Sequence, residues 1–127
     1  IDRLPESVQA QAFDFYVNAG NRAIKVLQEV LTDAGFGPLN PDGSIGKLTI
    51  AAATKADDAM RELLADAYAI ARRSFYYRLA DGRPSLRKFA KRRDGGKGGW
   101  ITRAEAFMRS HYRLTDAQHR ARVAAWR

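Results

Sequence analysis

The sequence contains no cysteine, and its 127 residues include two histidines and four prolines. Without thiols there is no disulfide, no cysteine nucleophile and no cysteine-ligated zinc. His111 and His119 are too few for a histidine-rich metal site, and we expect both at the surface, with no metal and no cofactor. No apolar run approaches the roughly 20 residues of a membrane helix and no signal-peptide pattern opens the chain, so we expect no membrane insertion.

The remaining composition, 46% hydrophobic and 28% charged, is typical of a globular protein rather than a disordered or fibrous one. The length suits one compact domain or two small lobes, with enough chain to bury a substantial core. We therefore expect residues 1–127 to form a single domain and a monomer. Because the chain starts with Ile1 rather than Met, we also expect it to be a piece of a longer protein.

Positive charge is concentrated in the last third of the chain. Residues 1–82 carry nine basic and eleven acidic side chains, whereas residues 83–127 carry thirteen basic and three acidic ones. This asymmetry favours an anionic partner, which could be nucleic acid, an acidic cell-wall polymer or an anionic membrane surface. The alternative is a solvated basic face that only aids solubility.

The spacing of apolar residues predicts helices almost throughout and no strand. Gly20 should end the first helix and Asn21 should cap the second, and a loop rich in helix breakers spans 35–43. Further helices are expected over 46–54, from a cap at Asp57 or Asp58 to Leu79, over 85–92, over 100–111, and from a cap at Thr115 or Asp116 through Val123, Ala124 and Trp126. The expected fold is an all-α compact bundle of six or seven helices.

The longest predicted helix carries the strongest core signal. Its expected buried stripe is Met60, Leu63, Leu64, Ala67, Ala71, Phe75 and Leu79. The segment 40–44 lacks the twelfth-position glutamate of a calcium loop, and the glycine-rich segment 95–99 lacks the strand and Gly-Lys-Ser/Thr of a phosphate-binding loop. We interpret the first as a structural turn and the second as a mobile connector.

Two lines of polar and aromatic residues are candidate binding groups. Asp14 and Asn18 lie four residues apart among large apolar side chains, and Tyr68, Arg72 and Tyr76 repeat the spacing on the long helix. Both lines could line a sugar-binding cleft or be satisfied inside the core. The candidate carboxylates for glycoside hydrolysis carry no distinguishing signature, so the catalytic residue is unknown; they are Glu6, Asp14, Glu29, Glu62 and Glu105.

Several segments together resemble a known family. They are the stretches 4–9, 13–20 and 23–28, then Asp42-Gly43-Ser44-Ile45-Gly46 with Thr49 and Ala52, and later Tyr68, Arg72, Phe75-Tyr76, Phe89, Gly99-Trp100 and Arg103. In order and spacing, residues 4–107 resemble the C-terminal, predicted peptidoglycan-binding half of the glycoside hydrolase family 108 N-acetylmuramidases. Some members of that family are labelled secretion activators or phage endolysins. Residues 108–127 would add a C-terminal helix.

The resemblance implies a lysozyme-like muramidase scaffold that binds peptidoglycan glycan strands, in the bacterial cell envelope or delivered there by a phage. It implies substrate-binding roles for Asp14, Asn18, Tyr68, Arg72, Tyr76, Trp100 and Arg103. Two departures stand out, because the family's Glu-Gly-Gly-Tyr-type motif with its presumed catalytic glutamate is missing and Lys91 to Lys97 looks like an insertion. The chain alone is therefore expected to bind glycan without cleaving it.

Two readings from other classes remain. The basic residues Arg87, Lys88 and 91–93 could contact phosphates in a small nucleic-acid-binding helical protein, although no helix-turn-helix signature accompanies them. A structural or regulatory partner in secretion is the third reading. Of these, the resemblance favours the peptidoglycan partner, and no nucleic acid is expected.

Overall fold

A computed structural model describes residues 1–126, and in this range the chain is all-α. Its seven α-helices are α1 Glu6–Ala19, α2 Arg22–Asp33, α3 Lys47–Met60, α4 Glu62–Gly82, α5 Arg87–Ala90, α6 Gly99–Glu105 and α7 Asp116–Arg122. Two 3-10 turns, Pro84–Leu86 and Ser110–Tyr112, and one isolated antiparallel bridge between Lys91 and Lys97 complete the described structure. The predicted fold class and helix number are confirmed. None of the described helices is long and apolar enough to cross a membrane.

The chain divides into two compact units, Ile1–Arg72 and the residues from Arg73 onward. Helix α4 begins in the first unit and ends in the second. The expectation of one domain over residues 1–127 stays a prediction.

The core of the first unit follows the predicted periodicity of α1 and α2. Its buried side chains include Val8, Ala12, Phe15, Ile24, Leu27 and Leu31, each at most 1% exposed. Gly20 ends α1 as predicted, with the positive φ of 61° that favours glycine. Asn21 does precede α2, but its side chain makes no capping hydrogen bond.

The boundary between α3 and α4 differs from the prediction. Helix α3 continues to Met60, and the chain then turns at Arg61, whose φ is 53°. Asp57 and Asp58 therefore lie within α3 and do not cap the long helix, and Asp57 instead accepts a hydrogen bond from Ser7 Oγ at 2.5 Å. The stretch from residue 50 to 59 contains five alanines and no glycine or proline, so nothing local stops α3 early.

The predicted buried stripe of the long helix is mostly wrong. Leu64 is fully buried, but Leu63 is 46% exposed and the other predicted members are only partly buried. The side that faces the interior instead carries Tyr68, Ala69, Arg72, Arg73, Tyr76, Tyr77 and Ala80. Tyrosine and arginine can bury a large apolar body when their polar ends form hydrogen bonds or ion pairs. A prediction based on the spacing of aliphatic residues overlooks such side chains. The helix also extends beyond Leu79, to Gly82.

Helices of the second unit are shorter than predicted. The segment 85–92 forms a 3-10 turn followed by α5, and α6 ends at Glu105 rather than near residue 111. Thr115 caps α7 in a reciprocal capping box with Gln118, as its position predicted. The helix then ends at Arg122, before Val123, Ala124 and Trp126, and the Trp126 indole N–H donates to Asp81 Oδ1 at 2.8 Å.

One of the two histidines is not at the surface. His111 is exposed as expected, but His119 is 0% exposed, and its Nδ1 lies 2.6 Å from the Tyr77 hydroxyl oxygen. His119 and Val123 are one turn apart, so they project from the same side of the chain and both are buried. The imidazole therefore belongs to the core of the second unit.

Candidate functional site

In the first unit, three of the predicted site residues come together. The guanidinium of Arg72 on α4 forms an ion pair with Asp14 on α1, 2.5 Å apart, and lies 4.9 Å from the centroid of the Phe15 ring. The Phe15 and Tyr68 rings pack with centroids 6.0 Å apart, and the Tyr68 hydroxyl donates to the Ala23 carbonyl at 2.7 Å. These contacts join α1, α2 and the start of α4.

The predicted site residues of the first unit differ in how far their side chains are exposed to solvent. Tyr68 and Arg72 are 0% exposed, whereas the Asp14 side chain is 22% exposed and Asn18 is exposed. In this conformation only Asp14 and Asn18 can therefore meet a ligand from solvent. Direct glycan contacts by Tyr68 and Arg72 stay a prediction, and their burial argues for a supporting role.

In the second unit, a glycine-rich segment brings α5 and α6 together. The Gly98 amide donates to the Ala90 carbonyl at 2.9 Å, next to the backbone bridge between Lys91 and Lys97. A Cβ at Gly98 would lie 2.6 Å from the Phe89 carbonyl oxygen, so this close approach requires glycine. Segment 95–99, interpreted from sequence as a mobile connector, is thus fastened to the end of α5.

This approach builds a stack of three aromatic rings. Trp100 stacks on Tyr76, with centroids 4.8 Å apart and ring planes 18° apart, and on Phe89 at 5.1 Å and 28°. Tyr76 is 1% exposed, Trp100 is half-buried, and Phe89 is 42% exposed. The outer ring of the stack therefore offers an aromatic surface to solvent. Arg103 lies one turn after Trp100 on α6 and is exposed.

Cations without an internal partner lie close to Phe89 in sequence. Many cations after residue 82 are paired internally, such as Arg92 with Asp94, Arg120 with Asp116 and Arg122 with Asp81. Among the described residues, four cations of this region have side chains without an ion pair or hydrogen bond: Arg83, Lys88, Lys91 and Arg93. All four fall within 83–93, and the Lys88 ammonium lies 5.4 Å from the Phe89 ring centroid.

Glu105 lies at the centre of a buried ion-pair network. Its carboxylate accepts from Arg73 at 2.7 Å, from the Leu114 amide at 2.8 Å and from the Lys97 ammonium. Burial alone would raise the pKa of Glu105, but the hydrogen bonds from Lys97, Leu114 and Arg73 outweigh it and lower the pKa below its ordinary value. A general acid needs a raised pKa, so this environment suits a structural anion and not a proton donor.

The other candidate carboxylates are exposed or paired. Glu6, Glu29 and Glu62 are exposed, and Asp14 is paired with Arg72. Within residues 1–126, no group of three or more histidine, aspartate and glutamate side chains is arranged to hold a metal ion.

Sequence reasoning placed Phe89 only in the family pattern and Lys88 only in the nucleic-acid alternative. The structure joins both to the predicted residues Tyr76 and Trp100, in the unit that also contains Arg103. The sequence did contain a signal for this surface, because the aromatic residue Phe89 lies within the basic stretch 87–93. What the sequence could not give was the close approach at Gly98 that stacks the rings.

The described chain is all-α, and its second unit exposes an aromatic ring with a lysine ammonium beside it. Residues 22–105, about two thirds of the chain, match the family model described as Predicted Peptidoglycan domain, and the chain belongs to this family. The matched range contains Tyr68, Arg72, Tyr76, Trp100 and Arg103, whereas Asp14 and Asn18 lie before it. Neither the curated proteins nor the solved structures gave a significant match. Family membership supports peptidoglycan as the partner and association with the cell wall.

Proposed function

We propose that this chain is the peptidoglycan-binding part of a cell-wall-lytic N-acetylmuramidase, acting in the bacterial envelope or delivered to it by a phage. The parent enzyme would hydrolyse the β-1,4 bond between N-acetylmuramic acid and N-acetylglucosamine. This chain would bind the glycan as a monomer and would not cleave it. The observation that carries the proposal is the Tyr76–Trp100–Phe89 stack, with the Lys88 ammonium 5.4 Å from the centroid of its exposed ring.

The surface matches the chemistry of peptidoglycan in two respects. A pyranose ring has an apolar C–H face that can pack on an exposed aromatic ring, and Phe89 offers such a ring. The polymer also carries lactyl and peptide carboxylates, which the ammonium and guanidinium groups of residues 83–93 can attract. One binding surface can therefore contact both the sugar and its acidic substituents.

The state of Glu105 supports the expectation that this chain does not cleave the glycan. Two cations and a backbone amide hold its carboxylate ionised, so it has no proton to give to a leaving oxygen at neutral pH. The glutamate that protonates the glycosidic oxygen would then belong to another part of the parent protein. A peptidoglycan suspension should keep its turbidity in the presence of this chain. Lysis that Glu6→Gln or Glu105→Gln abolishes would contradict this part of the proposal.

Binding is tested by sedimentation with purified peptidoglycan across a salt series, with duplex DNA as the competing ligand. Phe89→Ala should weaken the interaction with peptidoglycan about tenfold, which corresponds to about 1.4 kcal/mol. Phe13→Ala is the matched control, because Phe13 is an exposed phenylalanine of the first unit, and it should bind normally.

Charge dependence separates the two polymers. Lys88→Ala combined with Arg93→Ala should weaken binding and flatten its salt dependence, whereas Lys55→Ala, an exposed lysine on α3, should not. Stronger binding to duplex DNA than to peptidoglycan at every salt concentration would favour the nucleic-acid reading instead.

A further inference from the structure

A groove in the first unit is lined by residues that belong neither to the Arg72–Asp14 group nor to the aromatic stack. It has a volume of about 400 Å³ and lies between the end of the loop after α2 and the first turn of α3. Leu39 and Leu48 give it apolar walls, and Leu48 is 76% exposed. Asn40, Asp42 and Lys47 add an amide, a carboxylate and an ammonium group. A concave, mainly apolar site with a few polar groups is the usual form of a small-ligand site.

The groove is preformed, because a buried glutamine fixes its loop. Gln28 is 1% exposed, and its Nε2 donates to Asp42 Oδ1 at 3.1 Å and to the Ser44 carbonyl at 2.9 Å. Gln28 Oε1 accepts from the Gly43 amide at 3.0 Å. A loop held in this way loses little conformational entropy when a ligand binds.

The polar groups of the groove keep capacity for a ligand. Asp42 Oδ1 already accepts from Gln28 and from the Ser44 amide at 2.9 Å, which leaves Oδ2 without a partner among the described residues. The same hydrogen bonds, that of the Ser44 amide first, lower the pKa of Asp42 and keep its carboxylate ionised. The side chains of Asn40 and Lys47 likewise make no hydrogen bond or ion pair within the described chain.

We propose that this groove binds a secondary amide that carries a methyl group, such as the acetamido group of an amino sugar. Asp42 Oδ2 would accept from the amide N–H, Asn40 or Lys47 would donate to its carbonyl oxygen, and the methyl group would pack against Leu39 and Leu48. The proposal rests on the proposed function, since peptidoglycan offers this group both on its sugars and in the alanine residues of its peptides. It gives the first unit a ligand contact independent of the aromatic stack.

The test is an NMR titration of the ¹⁵N-labelled full chain with three probes. They are the N-acetylglucosamine trimer, the glucosamine trimer without acetyl groups, and a short alanyl peptide. We expect the acetylated trimer or the peptide to shift the amide signals of 42–49 and the Asn40 carboxamide, and whichever does so identifies the source of the amide. Equal binding of the non-acetylated trimer, or no shift with any probe, would overturn the proposal.

Substitutions sharpen the result without unfolding the chain. Asp42→Asn keeps an oxygen for Gln28 but replaces the unpartnered acceptor by a donor, and Leu48→Ala shortens an exposed wall. Each substitution should raise the Kd for the probe about tenfold. Leu63→Ala, an exposed leucine of the same unit outside the groove, should have no effect. Unchanged affinity in both groove variants would also overturn the assignment.

The outcomes for this groove and for the proposed function are separable. If purified peptidoglycan sediments the chain in a Phe89-dependent manner while the groove binds no probe, only the groove assignment fails. If peptidoglycan does not sediment the chain at all, the proposed function fails whatever the groove binds.

Discussion

Replacing Gly98 by alanine tests how the aromatic stack is built. The added Cβ would lie 2.6 Å from the Phe89 carbonyl oxygen, 2.7 Å from the Ala90 carbonyl carbon and 2.8 Å from the Lys91 nitrogen. All three atoms belong to the backbone, so no flexible side chain can move aside. The φ of Gly98 is −78°, which alanine adopts readily, so the cost is steric overlap and not backbone strain.

The expected destabilisation combines two contributions. Overpacking of this kind costs about 1–3 kcal/mol, and the bond from the Gly98 amide to the Ala90 carbonyl contributes about 1 kcal/mol more if it is lost. A total of about 2–4 kcal/mol should lower the melting temperature of a chain of this size by about 10 °C. Because Trp100 follows Gly98 by two residues, its ring should also move away from Phe89.

Thermal unfolding followed by circular dichroism measures the first effect, and the indole N–H signals in an NMR spectrum measure the second. The Trp100 signal should shift while that of Trp126 stays in place. Gly99→Ala is the matched control, because a Cβ there meets nothing within 4 Å and it begins α6, so its stability should be unchanged or slightly higher. If Gly98→Ala has the same melting temperature as the Gly99→Ala control and leaves the Trp100 signal unshifted, the close approach at Gly98 does not organise the aromatic stack.

Three further predictions concern the core and its loops. Leu64→Ala should cost about 2–5 kcal/mol in denaturant unfolding because Leu64 is 0% exposed, and a loss below about 0.5 kcal/mol would place it outside the core. Gly43→Val should lower the melting temperature, since φ is +80° and a Cβ would lie 3.0 Å from the Asn21 carbonyl oxygen; unchanged stability with lost glycan binding would make this turn a contact site instead. Burial lowers the pKa of His119 in the fold below its ordinary 6.5, so the unfolded chain binds the proton more readily and stability should fall as pH drops below about 6.5. The melting temperature should be lower at about pH 5.5 than at about pH 7.5 in wild type, and also in the control variant His111→Gln, which removes the exposed histidine. Equal melting temperatures at the two pH values in wild type would contradict the buried imidazole.

The sequence predicts those parts of the fold that local patterns determine. Aliphatic spacing located α1 and α2, Gly20 marked the end of α1, and Thr115 marked the start of α7. The same reasoning misplaced the start of α4, because the chain turns at Arg61 with a positive φ, and arginine is not a residue type that indicates such a turn. A positive φ is disfavoured for a residue with a side chain, so local propensity does not predict this turn.

The buried face of α4 shows a second limit of pattern reasoning. Tyr68, Arg72 and Tyr76 were identified as one line, and the alternatives of cleft and core were both open. The structure buries all three side chains, while their phenol and guanidinium ends find partners such as the Ala23 carbonyl and Asp14. Whether a polar residue enters the core depends on partners that lie far away in sequence, 45 and 58 residues in these two cases.

Both candidate surfaces depend on loops whose shape is set by a glycine and a buried polar side chain. In the first unit, Gln28 holds the turn at Gly43, and in the second, Glu105 binds Lys97 while Gly98 fits against the end of α5. The exposed groups that would meet a ligand, Asp42 and Phe89, belong to or contact these anchored segments. Binding residues on loops that a rigid scaffold positions are a common arrangement, because the scaffold supplies the stability and the loop supplies the chemistry. It follows that substitutions at the anchors should change stability and binding together, whereas substitutions at exposed groups that leave the anchoring hydrogen bonds intact, such as Phe89→Ala, should change binding alone.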